Sequence, residues 1–251
     1  MSLRSLFSRR PSVPPPRYLP EGERIYAIGD VHGRADCLDR LLTCIAQDET
    51  ARGLARTTLV FLGDLVDRGP ESRAVIDRVM TLDRTTRCVL LLGNHEEVML
   101  RAWEGDVAAM RAFHNIGGRE TLISYGVEAN VYDRADFDAL TQLLGRVVPS
   151  DHVAFLRRAV DWHRAGDWLF VHAGIRPGVP LAQQSPSDMR WIRREFLDDP
   201  RDHGMMVVHG HTVTRAPEVR GNRIGIDTGA YASGMLTALG IEGDRHWLLA
   251  T

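Results

Sequence analysis

The chain has 251 residues, 44% of them hydrophobic and 25% charged, which is enough for one large globular domain with a sizeable buried core. A formal net charge of −2 gives no general electrostatic attraction to DNA, RNA or an anionic membrane. All 31 basic residues are Arg, which excludes the Schiff-base and P-loop chemistries that need a lysine amine; coding bias is the plain reading of that composition.

Residues 1–22 carry Arg4, Arg9, Arg10, Arg17 and the run Pro14, Pro15, Pro16, and read as a disordered basic tail. No apolar core of a secretory signal follows these charges, so a cytoplasmic protein is expected. No apolar run approaches the roughly 20 residues needed to span a bilayer. From Arg24 onward, Ile25–Ile28 reads as a strand, Arg34–Gln47 as a helix, Thr58–Leu62 as a strand, Glu71–Leu82 as a helix and Cys88–Leu92 as a buried strand. That β-α-β-α-β start implies parallel strands joined by helices. Residues 94 to about 160 read mostly as helices, and about 100–165 are expected to form a helical cap inserted into a single domain spanning 23–251. Trp168–His172 reads as a strand, Ser187–Phe196 as a short helix and Met205–Val208 as a strand, and Glu218–Ile226, Gly234–Ile241 and Arg245–Ala250 alternate like a β-meander. Cys37, Cys44 and Cys88 lack CxxC spacing and read as buried reduced thiols.

The three early strands run into Gly29-Asp30-Val31-His32-Gly33, Gly63-Asp64-Leu65-Val66-Asp67-Arg68-Gly69 and Gly93-Asn94-His95-Glu96. Two later strands run into Val171-His172-Ala173-Gly174 and Val208-His209-Gly210-His211-Thr212. Open α/β sheets build their sites at the carboxyl ends of strands, so five such ends deliver Asp, His and Asn to one edge. Carboxylates, imidazoles and an amide oxygen without thiolates suit Mn, Fe or Zn better than a structural zinc site. Two such metals about 3.5–4 Å apart lower the pKa of a water between them and clamp the attacking and leaving oxygens of an in-line phosphoryl displacement.

GDVHG, GDLVDRG and GNHE, followed by VHAG and GHT, resemble the phosphoprotein phosphatase branch (bacterial serine/threonine phosphatases) of the calcineurin-like metallophosphoesterases. The resemblance covers nearly all of the chain after the tail. It implies an α/β fold with a central two-sheet β-sandwich flanked by helices in four layers, and a dinuclear centre of two divalent ions, manganese first and iron or zinc as alternatives. It implies further that Asp30 and His32 hold the first metal, that Asp64 bridges both, and that Asn94, His172 and His211 complete the second. His95 would be the general acid, oriented by Asp67. Arg68 would grip phosphate with its planar fork, joined by Arg193 with Arg194 as its rival, by Asn94, and by Tyr231 overhanging the metals.

Any one of these acids alone reads as a turn or helix cap; five coincident motifs reverse that reading. His209 reads as a core histidine, and Glu96 as a charge placed at the start of a helix. His114, His152, His163, His203 and His246 read as surface or packing residues, and Asn115–Gly118 as an ordinary loop that could instead wall the substrate. The expected activity is hydrolysis of phosphomonoesters, foremost phosphoserine or phosphothreonine in a phosphoprotein, with phosphotyrosine also in view. Symmetrical cleavage of dinucleoside tetraphosphates is the alternative, in which case the substrate is a phosphorylated nucleotide, and a non-catalytic phospholigand-binding module is the second alternative. Asp67 inclines the choice to the phosphatase, because tetraphosphatase-like sequences often resemble GDLVARG at that motif. Neither a nucleic-acid nor a membrane partner is expected.

Overall fold

The computed structural model describes residues 16–251. The core is a pair of five-stranded sheets. In the first, β1 (Glu23–Ile28), β2 (Arg56–Phe61) and β3 (Arg87–Leu90) run parallel, and β9 (Thr237–Glu242) and β10 (Arg245–Ala250) extend them antiparallel on the β1 side, giving the order β10-β9-β1-β2-β3. The second has the order β4-β5-β6-β8-β7, built from β4 (Trp162–Ala165), β5 (Trp168–Val171), β6 (Met206–His209), β7 (Glu218–Val219) and β8 (Arg223–Gly225), with β5, β6 and β8 parallel.

Period-two alternation divides each inner strand between two cores. Ile25, Ala27, Val60 and Leu62 of the first sheet face Trp168, Phe170, Val208 and Ile224 of the second, forming the filling of a sandwich. Tyr26, Ile28, Leu59 and Phe61 point the other way, onto α1 (Ala35–Arg52) and α2 (Ser72–Leu82). Helix α1 buries Cys37, Leu38, Leu41 and Ile45, the spacing of one helical face. Leu169, Val171 and Val207 cover the outer side of the second sheet and pack on Met189, Ile192 and Phe196. These come from α9 (Pro186–Trp191) and α10 (Arg194–Leu197) and the link between them. The result is the expected four-layer helix–sheet–sheet–helix arrangement.

Between β3 and β4 lie α3 (Asn94–Trp103), α4 (Val107–Ile116), α5 (Gly118–Ser124), α6 (Ala129–Arg134), α7 (Phe137–Val147) and α8 (Ser150–Leu156). They join the first core through Met99, Phe113, Leu122 and Leu144. No helix among the described residues is long and apolar enough to cross a membrane.

The structure corrects four boundaries. The cap was expected to run to about 165, but Trp162–Ala165 is an edge strand, because it pairs antiparallel with β5. The expected meander is split: β7 and β8 belong to the second sheet and β9 and β10 to the first. The helix expected over Ser187–Phe196 is interrupted, since Ile192 has an extended backbone (ψ 144°). The tail expected over 1–22 falls outside the described residues up to 15, but its last part packs on the domain: Leu19 is buried and its N–H donates to Gly243 O at 2.8 Å, while Tyr18 N–H donates to Asp167 Oδ2 at 3.0 Å.

Candidate metal centre and active site

Both sheets point their parallel strands at the same edge, and the loops leaving β1, β2, β3, β5 and β6 meet there. Asp30, His32, Asp64, Asp67, Asn94, His95, His172 and His211 are all buried. Backbone strain marks the same place. The non-glycine residues with positive φ among the described residues are His32 (46°), Asp64 (52°), Asp67 (72°), Arg68 (68°) and His211 (63°). Left-handed backbone costs a side-chain-bearing residue about 1–3 kcal/mol and persists only where the surroundings over-determine it. Close approach explains Gly63: its φ is 97°, and a Cβ there would lie 2.6 Å from Gly93 N.

The donor atoms are arranged for cations. His32 donates its Nδ1 proton to Val66 O at 2.8 Å, and His172 donates its own to Leu62 O at 2.8 Å. Each Nε2 is therefore a lone pair. The His32 lone pair lies 3.6 Å from Asp64 Oδ2 and the His172 lone pair 3.5 Å from Asp64 Oδ1, so acceptors face acceptors across the cluster. Asn94 Oδ1 joins them 3.0 Å from the His172 lone pair, and accepts from His211 Nδ1 at 2.9 Å, which leaves the lone pair of that ring on Nε2. Asp30 Oδ1, His32 Nε2, His211 Nε2 and Asp227 Oδ2 are buried without any hydrogen-bond partner. Unpaired buried acceptors are costly, and divalent cations would satisfy them.

Two groups have all their donor atoms within 4.8 Å of one another: His32, Asp64 and His95, and Asp64, His172 and His211. Asp64 is common to both. His95 belongs to the first group only by proximity, because its Nδ1 is 2.7 Å from Asp67 Oδ2 and its Nε2 is 3.1 Å from Arg68 Nη2. Asp30 lies outside that radius; its Oδ2 accepts from His211 N–H at 2.9 Å, which ties the end of β1 to the end of β6.

Electrostatics agrees. Burial, reinforced by the negative charges of Asp227 and Asp64, holds Asp30 well above the usual carboxylate range. Burial lowers His32 to about 3 and His211 to about 2, and it lowers His172 as well, so these rings are neutral and ready to ligate. Asp64 is the exception: burial would raise it, but a proton on any of the imidazoles around it, His172 foremost and then His95, holds it below its ordinary value. Burial also opposes a proton on His95, yet Asp64 and Asp67 together raise its pKa.

The remaining candidates gather around this centre. The Tyr231 ring stands 5.5 Å from His32, with the Arg68 guanidinium 4.8 Å from its centroid. Arg193 approaches Thr212 Oγ1 at 3.3 Å and is near enough to His211 to disfavour its charge. Arg193 thus lies beside Thr212 and His211. His209 stays out of it: its Nδ1 faces Gly210 O at 3.0 Å and its ring packs against Phe196. His152 is buried, bridging the Tyr125 hydroxyl and Asp77, which fits packing rather than surface.

Two site residues, Asp227 and Thr121, lie beyond what the sequence reading singled out, and a third, Glu96, has a wider role than the reading gave it. Glu96 does more than greet its own helix: its carboxylate accepts from the N–H groups of Asp64 (2.8 Å), Leu65 (2.7 Å) and Gly93 (3.1 Å), binding the β2 loop to the start of α3. Burial and the charge of Asp64 push it up to about 7. Asp227, just after β8, is a further buried carboxylate that raises Asp30, with Oδ1 held by Gly229 N–H. Thr121 of α5 bonds to Asp67. Spacing carries no signal for Thr121 or Asp227, whereas the helix-start position of Glu96 did.

The family model of the calcineurin-like phosphoesterases matches residues 23–231. The chain belongs to the calcineurin-like phosphoesterases. Among relatives, this phosphoesterase is 27% identical over 232 residues to an asymmetrical bis(5'-nucleosyl)-tetraphosphatase of Anoxybacillus flavithermus, covering 84% of the chain and 88% of that protein. It is 35% identical over 153 residues to a symmetrical bis(5'-nucleosyl)-tetraphosphatase of Acidovorax ebreus, covering 61% of the chain and only 44% of that relative's length. The cold-active protein tyrosine phosphatase of a psychrophilic Shewanella superposes with a TM-score of 0.61 at 18% identity, covering 93% of this chain and 79% of that one, which shows a shared fold alone.

One substitution tests the fit between β1 and β6. A Cβ at position 210 would fall onto Asp30 Oδ1. Gly210→Ala is expected to displace that carboxylate, weaken Mn binding measured calorimetrically, and cost about 1–3 kcal/mol in thermal stability, as overpacking does. Unchanged Mn affinity would show that Asp30 does not face the cation.

Proposed function

We propose that this phosphoesterase hydrolyses small phosphorylated molecules, foremost dinucleoside polyphosphates, with Asp30, His32, Asp64, Asn94, His172 and His211 holding two divalent ions. The set of unpartnered and mutually facing acceptors centred on Asp64 carries the phosphoesterase part. The tetraphosphatase relative that spans most of the chain supports the substrate. All-nitrogen-and-oxygen donors favour manganese, iron or zinc. Such ions, when bound, acidify a water and offset phosphate charge. Arg68 and Arg193 would orient the phosphate through guanidinium forks, Asn94 would touch it through its amide, and Tyr231 would close the site over His32. His95, oriented by Asp67, would take up a proton on Nε2 once Arg68, which donates to that nitrogen at 3.1 Å here, turns to the phosphate, and would pass it to the leaving oxygen.

The protein-phosphatase expectation drawn from GDLVDRG becomes the second reading. The His95–Asp67 contact at 2.7 Å favours it, since an alkoxide leaving group needs a donated proton far more than a nucleotide phosphate does. Turnover of purified, metal-stripped protein, with Mn, Fe or Zn added back separately, separates the two on diadenosine tetraphosphate, phosphoserine and phosphotyrosine peptides, and an aryl phosphate. Faster cleavage of the dinucleotide is expected. A peptide turned over faster than the dinucleotide reverses the order of the readings.

A further inference from the structure

Asp67 and Arg68 sit in left-handed backbone, at φ 72° and 68°, and a helix of the cap holds both. Thr121, fully buried on α5, donates its hydroxyl proton to Asp67 Oδ1 at 2.6 Å and accepts from Asp67 N–H at 2.9 Å. Its one proton being spent on the carboxylate, Thr121 must accept from the Ser72 hydroxyl at 2.9 Å. Ser72 Oγ in turn takes the Asp67 N–H at 3.0 Å. One turn earlier in the cap, Gly117 O accepts from Arg68 N–H at 3.1 Å, and a Cβ at Gly117 would press on Arg68. The Asp67 carboxylate is thus fixed at both oxygens, Oδ1 by Thr121 and Oδ2 by His95.

We propose that Thr121 is a positioning residue for proton delivery, through which the cap determines how poor a leaving group the site can expel. This rests on reading His95 as the proton donor and not on which substrate is natural. As a water oxygen bonds to phosphorus it gives one proton to solvent and keeps the other; the P–O bond to the leaving group breaks, its electron pair stays on the leaving oxygen, and that oxygen takes the proton His95 Nε2 carries once Arg68 has turned from it to the phosphate. The ring then recovers a proton from solvent, and Asp67 remains ionised throughout. Proton transfer demands alignment. Releasing Oδ1 lets the carboxylate rotate and the ring tilt with it, and that loss matters in proportion to the leaving oxygen's need for a proton.

The test is turnover of Mn-loaded Thr121→Val, Thr121→Ser and Ser72→Ala enzymes on a series running from nitrophenyl phosphate through phenyl phosphate to an alkyl phosphate, with thermal melts as the folding control. Thr121→Val should lose about 10–100-fold more kcat on the alkyl ester than on the nitrophenyl ester. KM should hold, and Thr121→Ser should restore the wild-type slope. Ser72→Ala, which keeps the Thr121–Asp67 bonds but removes their buttress, should shift the slope the same way by less, and it serves should the valine variant not fold. An equal loss on every leaving group in a folded variant overturns the proposal. His95→Asn is measured beside them: a flat loss there refutes the proton-donor reading, whereas a steep loss with His95→Asn and a flat one with Thr121→Val refutes the Thr121 proposal alone.

Discussion

Replacing Asp64 by Asn is expected to abolish turnover by several orders of magnitude and to strip the protein of metal. Its two oxygens face the lone pairs of His32 and His172 on opposite sides, at 3.6 Å and 3.5 Å. It alone supplies a charge common to both groups of donors. An amide at this position would keep the shape and one acceptor but put an NH2 where the second cation contact belongs, and it would remove the negative charge that offsets two dications. Metal content by elemental analysis, after dialysis against a fixed Mn concentration, should fall below one ion per chain. Two ions retained with full activity would remove Asp64 from the proposed centre. The fold should survive, because Asp64's backbone N–H is held by Glu96 whichever side chain is present.

His95→Asn has the second-largest expected effect, with the opposite signature. Its Nδ1 is held by Asp67 and its Nε2 lies beside Arg68, so the ring is set toward a leaving group and not toward a metal. Two bound ions should therefore remain while kcat falls by about 10²–10⁴-fold, the usual share of general acid catalysis. Nitrophenyl phosphate, whose leaving group departs readily, should suffer least. Loss of metal together with activity would make His95 a ligand instead of an acid. The comparison with Asp64→Asn separates holding cations from delivering a proton, two tasks proposed for side chains 3.8 Å apart.

The cluster of proposed donors could be picked out because each follows a strand in a short segment that contains glycine, and the chemistry of turns and ligands coincides there. Local pattern says less about partners distant along the chain. Thr121 lies 54 residues from Asp67, in a helix whose sequence, GRETLIS, reads as ordinary packing. Asp227 looks like the turn residue that it also is, with Oδ1 on Gly229 N–H, and only the end of β1 packed beside it makes its free oxygen significant. Sheet membership was illegible for a similar reason. Local pattern identifies a strand but not the sheet it joins: β8 and β9 are both buried almost throughout, and the chain passes from the second sheet to the first between them through the short helix α11 (Ala230–Ser233). Trp162–Ala165 was missed because four residues are too few to establish a period, and its large apolar residue, Trp162, stands on the exposed side.

The donors come from both halves of the sandwich: Asp30, Asp64 and Asn94 follow strands of one sheet, and His172 and His211 leave strands of the other. A cation shared among them would act as a clasp across the seam, and its grip could not loosen without the two leaves sliding over Trp168 and Phe170. Occupancy and resistance to unfolding are then one equilibrium seen from two ends, with stability rising as RT ln(1 + [ion]/Kd). The cell's supply of free metal would in this way govern how long the molecule lasts as well as how fast it works.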